Sequence, residues 1–188
     1  VTLNNAALKA NTIDVTTKTD GLIKNYVGQG GFTIGTYADT TAYVKHHGEN
    51  IINIDNTSIQ ALGAATADMV PLNIKALNYN RIENEGLAVN IFGLAAGRLI
   101  IDGEDSAEVK VKLGKNSASG QKNTLTAAKT QITAQNAPSV KDDITGVDVG
   151  AVQFHGAIVE SKATGKATLD VTEKNVFDGP GVDIEAIT

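Results

Sequence analysis

Two seven-residue segments far apart in this chain match position for position in polarity: Leu72-Asn73-Ile74-Lys75-Ala76-Leu77-Asn78 and Val182-Asp183-Ile184-Glu185-Ala186-Ile187-Thr188. In each, apolar and polar residues alternate, and the polar type is broadly kept while the charge sign is not. A period of two is that of a β-strand with one buried and one wet face. Its return along the chain implies repeated strands, and repeated strands point to a solenoid.

Three kinds of segment recur in the same order. The first is the alternating strand above, with a looser counterpart in Leu8 to Val15 and a further relative in Leu125 to Ala134. The second is bracketed by glycine: Gly31 to Gly35, Gly97 to Gly103, and Val147 to Phe154. The third begins on small residues: Thr41 to Lys45, Ser106 to Leu113, and Lys166 to Val171. Taken as anchors, Ala42, Ala107 and Ala167 lie 65 and 60 positions apart. Uneven spacing is what loop insertions between fixed layers produce. The insertions are placed at Gly63–Pro71, Gly114–Asn123 and Gln135–Asp143, where alternation lapses. Residues 1–188 are thus expected to form one solenoid segment with approximate repeats 8–63, 72–117 and 125–179, part of a longer repetitive protein.

Aromatic residues are only 4% of the chain and Trp is absent, so the 41% apolar share comes largely from Ala, Val, Ile and Leu. Small and β-branched side chains suit a narrow interior in which each strand stacks on its equivalent in the next layer. Helix is hard to find: Ile59 to Met69 is the best candidate, yet Gly63 interrupts it and no apolar stripe persists. An antiparallel sandwich also shows short alternating strands. The repeated strand order and the lack of Asn-Gly hairpin turns favour the alternative, a right-handed parallel β-helix with short loop insertions and little helix.

The formal net charge of -5 argues against nucleic acid as a partner. No apolar run reaches membrane-spanning length, so this segment is not expected to insert into a bilayer. Without cysteine there is no disulfide framework and no thiolate chemistry. No cofactor is implied.

Candidate chemistry is sparse. Carboxylates cluster at Asp102-Gly103-Glu104-Asp105 and at Asp142-Asp143. Polysaccharide-cleaving β-helix enzymes use acids on a solvated sheet face, whereas Asp beside Gly is also a common turn. Arg98, Asp102, Glu104 and Asp105 are the only group that could converge on a ligand, and they are carried forward as binding candidates with no catalytic assignment. His46-His47-Gly48-Glu49 lacks the His-Glu-x-x-His spacing of a zinc helix, and His155 lies far off, so no metal site is expected. Gly28-Gln29-Gly30-Gly31 lacks the aspartate of a calcium-binding nonapeptide. Gly93 to Arg98 lacks the Lys-Ser/Thr of a phosphate loop. The threonine run Val15 to Thr19 would need a flat threonine ladder on every layer to bind ice. Lys and Glu alternate over Glu108 to Lys112, as on a solvated face with cross-strand ion pairs or a groove for glycans.

Stretches such as Gly146 to Gln153 and Glu160 to Val171, with their Gly-small-Val alternation, resemble the repeats of large bacterial filamentous adhesins of the leukotoxin type, exported by autotransporter-like type V routes. The resemblance implies a β-helical passenger segment at the outer cell surface. Such a segment would be monomeric within a longer chain, would face a host-cell or matrix surface or a glycan, and would carry no catalytic residues. A polysaccharide-active β-helix enzyme and a viral tail or spike solenoid are the alternatives.

Overall fold

The computed structural model describes residues 1–31, 36–91, 94–149 and 152–188, and within them the side chains of all but 29–31, 36–38, 88, 90–91, 94–96, 147–149 and 152–157. The chain winds through strands in a fixed order. The first turn is β1 (Thr2–Asn4), β2 (Ala7–Ala10), β3 (Ile13–Thr19), β4 (Leu22–Gly31) and β5 (Thr36–His46). The second is β6 (Glu49–Asp55), β7 (Ser58–Ala61), β8 (Leu72–Asn78), β9 (Arg81–Ile91) and β10 (Leu94–Asp105). The third is β11 (Glu108–Leu113), β12 (Asn123–Ala127), β13 (Thr130–Asn136), β14 (Ser139–Val149) and β15 (Val152–Ala163). A partial fourth turn follows: β16 (Lys166–Val171), β17 (Asn175–Asp178) and β18 (Val182–Ile187).

Each strand pairs in parallel with the strand five places before or after it, which generates five stacked sheets. This is a parallel β-solenoid, and the described residues contain no helix. The offset between stacked partners changes along the chain while the register stays continuous. Thr2 faces Asn53 and Ile13 faces Leu72, because residues 62–71 in the second turn replace the short corner 11–12 of the first. Ser58 faces Thr124, because residues 114–122 replace the corner 56–57. Two of the expected insertions are therefore real corners.

The third is not. Residues 135 and 136 end β13, and Ser139–Val149 is strand β14, leaving only Ala137 and Pro138 between them. Three alignments also change. The counterpart of Leu72–Asn78 in the first turn is Ile13–Thr19, not Leu8 to Val15, which spans a corner. Ala42 stacks on Ile101, not on Ala107, and Val109 faces Ala167. Gly97 to Gly103 belongs to β10, whereas Val147 to Val149 belongs to β14 in a different sheet; residues 32–35 and 150–151 lie outside the described residues.

The sheets built on β6, β7 and β8 enclose one apolar core. Along the sheet of β8, Val15, Ile74, Ile132 and Ile184 form one row, and Ile74 and Ile132 are fully buried. Burial of each such side chain stabilises the fold by about 2–3 kcal/mol. Ile52, Ile54 and Val111 approach from the opposite sheet, and Ile59 and Leu125 close the third side. Asparagines continue the rows where the core meets backbone. Asn123 Nδ2 donates to Asn175 Oδ1 at 2.8 Å and to the Ile54 carbonyl at 2.8 Å, while its Oδ1 accepts from the Thr57 N–H at 2.9 Å. Buried polar atoms of this kind cost stability unless such bonds are made.

The other two sheets form a two-layer extension. The chain runs out along β4, β9 and β14 and returns along β5, β10 and β15, with Ile82, Asn84 and Gly86 of one layer turned toward Leu99, Ile101 and Gly103 of the other. The layers approach too closely for larger side chains at the glycines. A Cβ on Gly103 would lie 2.6 Å from Asn84 Nδ2, and one on Gly86 would lie 2.6 Å from Leu99 Cδ2.

Candidate functional site

Alternation along β10 separates the four residues expected to converge. The odd positions from Gly97 to Asp105 point inward and are buried, so Arg98, Asp102 and Glu104 lie on the outer face and Asp105 does not. Asp105 is fully buried at the neck where the extension meets the core. Its Oδ1 lies 3.2 Å from His46 Nδ1 and accepts the Ala107 N–H at 3.2 Å, and its Oδ2 has no hydrogen-bond partner. Asn80 Nδ2 lies 3.2 Å from the same His46 nitrogen, and Asn80 Oδ1 accepts the Gly21 N–H at 3.0 Å. This is a structural lock. His46 turns to it while His47 lies 3.2 Å from Ser106 Oγ, so the adjacent histidines face different partners. His155 is in β15 opposite Gly97, and its side chain lies outside the described residues.

Arg98 is engaged in a forked ion pair: its Nη2 lies 2.7 Å from Asp39 Oδ2, and its Nε lies 3.3 Å from Asp39 Oδ1. Four residues of strand, about 13 Å at strand rise, separate it from Asp102. The acids and the arginine do not form one cleft. Among the described residues no three His, Asp or Glu side chains are grouped to hold a metal.

Asp102 and Glu104 do line a groove, with Glu160, Ser161 and Lys162, of about 360 Å³. Its floor is two rows across the sheet: Lys45–Glu104–Lys162 and, next outward, Tyr43–Asp102–Glu160. The first row alternates in sign. Lys45 Nζ lies 2.8 Å from Glu104 Oε2, and this hydrogen bond and the charge beside it hold the Glu104 carboxyl below the usual range and the Lys45 ammonium above it.

The opposite face of the extension repeats the arrangement. Lys24–Glu83–Lys141 is the inner row and Tyr26–Glu85–Asp143 the outer one. Lys24 Nζ lies 3.4 Å from Glu83 Oε2, and bonding to Glu83 raises its pKa above 10.5. Tyr26, Gly28, Glu85, Leu87, Asp143 and Thr145 border a groove of about 490 Å³. Tyr26 and Tyr43 are 64% and 57% exposed, although aromatic residues are scarce in the chain. One row further out, each face carries an exposed aliphatic residue: Leu87 in Gly28–Leu87–Thr145, and Ile158 in Thr41–Ile100–Ile158.

The sequence carries this symmetry as a mirrored pattern. Lys24-x-Tyr26 answers Tyr43-x-Lys45, Glu83-x-Glu85 answers Asp102-x-Glu104, and Lys141-x-Asp143 answers Glu160-x-Lys162. Of these groove residues, Asp102 and Glu104 are among the four binding candidates read from the sequence, and Asp143 was noted there only as part of an acidic pair. Stacking the mirrored triplets at the true offset would have found the rest. The threonine run gives no flat ladder, since Thr17 and Thr19 share the inner face of β3 with Val15, and outward Thr16 is followed across the sheet by Lys75, Thr133 and Glu185.

No family model matches this chain, and no curated protein or solved structure matches it.

Proposed function

We propose that this chain is a structural and adhesive segment of a filamentous bacterial cell-surface protein of the leukotoxin-type adhesin kind, working outside the cell and holding its faces and corner loops toward a host-cell or matrix surface. The observation that supports this most is the two-layer extension. Its long strands carry grooved, exposed faces away from the core. Corner loops 62–71 and 114–122 add surface without disturbing the stack.

One observation favours a second reading, a polysaccharide-active enzyme. Glu85 and Asp143, like Asp102 and Glu160, sit side by side on neighbouring strands, whose spacing of about 4.8 Å is near that of paired glycosidase carboxylates. Incubation with a panel of soluble polysaccharides, recording retention and new reducing or unsaturated ends together, separates the two. Retention on a surface or glycan without product is the expected result, and product formation would replace the adhesive reading with the enzymatic one.

A further inference from the structure

Opposite charges neighbour one another in several outer rows of this solenoid. Lys24–Glu83–Lys141 and Lys45–Glu104–Lys162 alternate in sign, and Lys110 sits between Glu49 and Glu108, which face each other. Two rows pair carboxylates with no lysine bonded to both: Tyr26–Glu85–Asp143 and Tyr43–Asp102–Glu160. Each places two carboxylates directly opposite one another beside an exposed tyrosine, and none of the four acids has an ion-pair partner within 4.0 Å among the described residues. Like charges in register destabilise a sheet. The cost is incurred twice, at matching places on the two faces, and is offset only in part by Lys24 near Glu85 and Lys45 near Asp102.

We propose that these rows are two recognition sites for a basic, extended segment of a partner protein, one on each face of the extension. A cationic side chain laid on the row relieves the carboxylate repulsion and meets the tyrosine ring. A neutral sugar would leave that repulsion in place. The chain already seats a cation this way, since Lys45 Nζ stands 5.0 Å from the centre of the Tyr43 ring. The neighbouring outward row sets the second requirement. Alternate residues of an extended peptide lie about 7 Å apart, the same as the spacing between successive outer rows. A basic residue over Tyr26, Glu85 and Asp143 therefore places the residue two positions on against Leu87 and the open floor at Gly28, where nothing lies within 4 Å of an added Cβ. On the other face the same peptide meets Tyr43, Asp102 and Glu160 and then Ile158. The ligand is thus basic-x-apolar, and with two sites the extension can bridge two such segments. The overall charge of -5 favours their approach.

This inference deepens the adhesive reading by naming the partner's chemistry, and its test is independent of the polysaccharide assay. The probe is a capped heptapeptide, Gly-Ser-Arg-Ser-Leu-Ser-Gly, titrated at low salt into the isotopically labelled chain and followed by NMR. Tyr26 with Leu87, and Tyr43 with Ile158, should shift in two separable sets. The Glu85→Gln/Asp143→Asn variant should weaken only the first set, and Asp102→Asn/Glu160→Gln only the second, each about tenfold. Both variants should be at least as heat-stable as the parent, because they remove a repulsion. A charge-matched control, Asp178→Asn/Glu185→Gln, should bind like the parent. The proposal is overturned if neither set shifts, if the control weakens binding as much as the site variants, or if a peptide with Glu in place of Arg shifts the same residues equally.

Discussion

The side-chain amide of Asn78 donates to that of Asn136 across 2.8 Å, and both are buried at the same position on neighbouring strands. Asn136 in turn donates to the Ala107 carbonyl at 2.5 Å, and Asn50 donates to the Leu77 carbonyl at 2.6 Å. These amides stitch the strands that enter the extension to those that leave it, a direction the rung-to-rung backbone bonds through the neck, such as Ala137 N–H to the Asn78 carbonyl at 2.9 Å, do not span.

Asn136→Ala should therefore destabilise the chain by about 1–3 kcal/mol, since it strands the Asn78 amide and takes one of two bonds from the Ala107 carbonyl, which keeps the Lys166 N–H at 3.3 Å. Urea unfolding gives the total. Hydrogen exchange should show the protection loss centred on residues 77–80 and 105–108, and a loss spread evenly over all sheets would contradict the neck role.

Glycines separate into two classes. Gly103→Ala should cost about 1–3 kcal/mol because the new methyl meets Asn84, which bridges toward Asp142 at 2.7 Å. Gly28→Ala has open space and should be neutral or stabilising by about 0.5 kcal/mol. Thermal melts of the pair test whether the two layers pack as closely as described.

Gly179 has φ 156°, and a Cβ there would lie 1.8 Å from the Ala127 carbonyl oxygen. Gly179→Ala should push β17 and β18 off the rung below. Loss of exchange protection confined to residues 175–187, with the first three turns still protected, is the expected outcome.

Position along a row decides what the same side chain is worth. Ile132→Ala, inside the stack and fully buried, should cost about 2–5 kcal/mol. Ile184→Ala, in the same row but 46% exposed on the outermost rung, should cost about 1 kcal/mol or less. Equal costs would mean the two rungs are packed alike.

The outer ion pairs should make stability weakly pH-dependent at both ends of the scale. Glu104 and Glu108 titrate below 4.5 in the folded chain because of Lys45 and Lys110, so their contribution is present above that value and fades as pH falls through the folded pKa. Lys24, Lys45 and Lys110 titrate above 10.5, so theirs is present below 10.5 and is lost as pH rises through the folded value. Melting temperature measured across the two limbs should show both losses, and Lys45→Met should flatten each limb slightly.

The alternation that made the solenoid legible also concealed its offset. Leu72–Asn78 and Val182–Ile187 do lie in one register, two rungs apart. Yet a slip of two residues returns every side chain to its own face, so Ala107 and Ala167 looked equivalent although Val109 is the true partner of Ala167. Parity alone would have placed Asp105 inside, with Ile101 and Gly103, and Asp102 and Glu104 outside. Polar residues and Pro138 made Gln135–Asp143 read as a loop. Lys141 and Asp143 are instead the wet face of β14, and Asp142 turns toward Asn84, which donates to it. The paired tyrosine rows went unseen because their members are far apart in the chain and only the correct offset aligns them.

The five ladders also fix how the chain carries force. Between the second and third turns the backbone bonds of β6–β11, β7–β12, β8–β13, β9–β14 and β10–β15 all run along the stacking direction. Tension on that axis loads every one of them at once, so no single strand can peel first without its neighbours sharing the strain. Traction applied sideways to the tip of the extension would instead concentrate on the neck, making Asn78, Asn136 and the His46–Asp105 pair the place where the molecule yields.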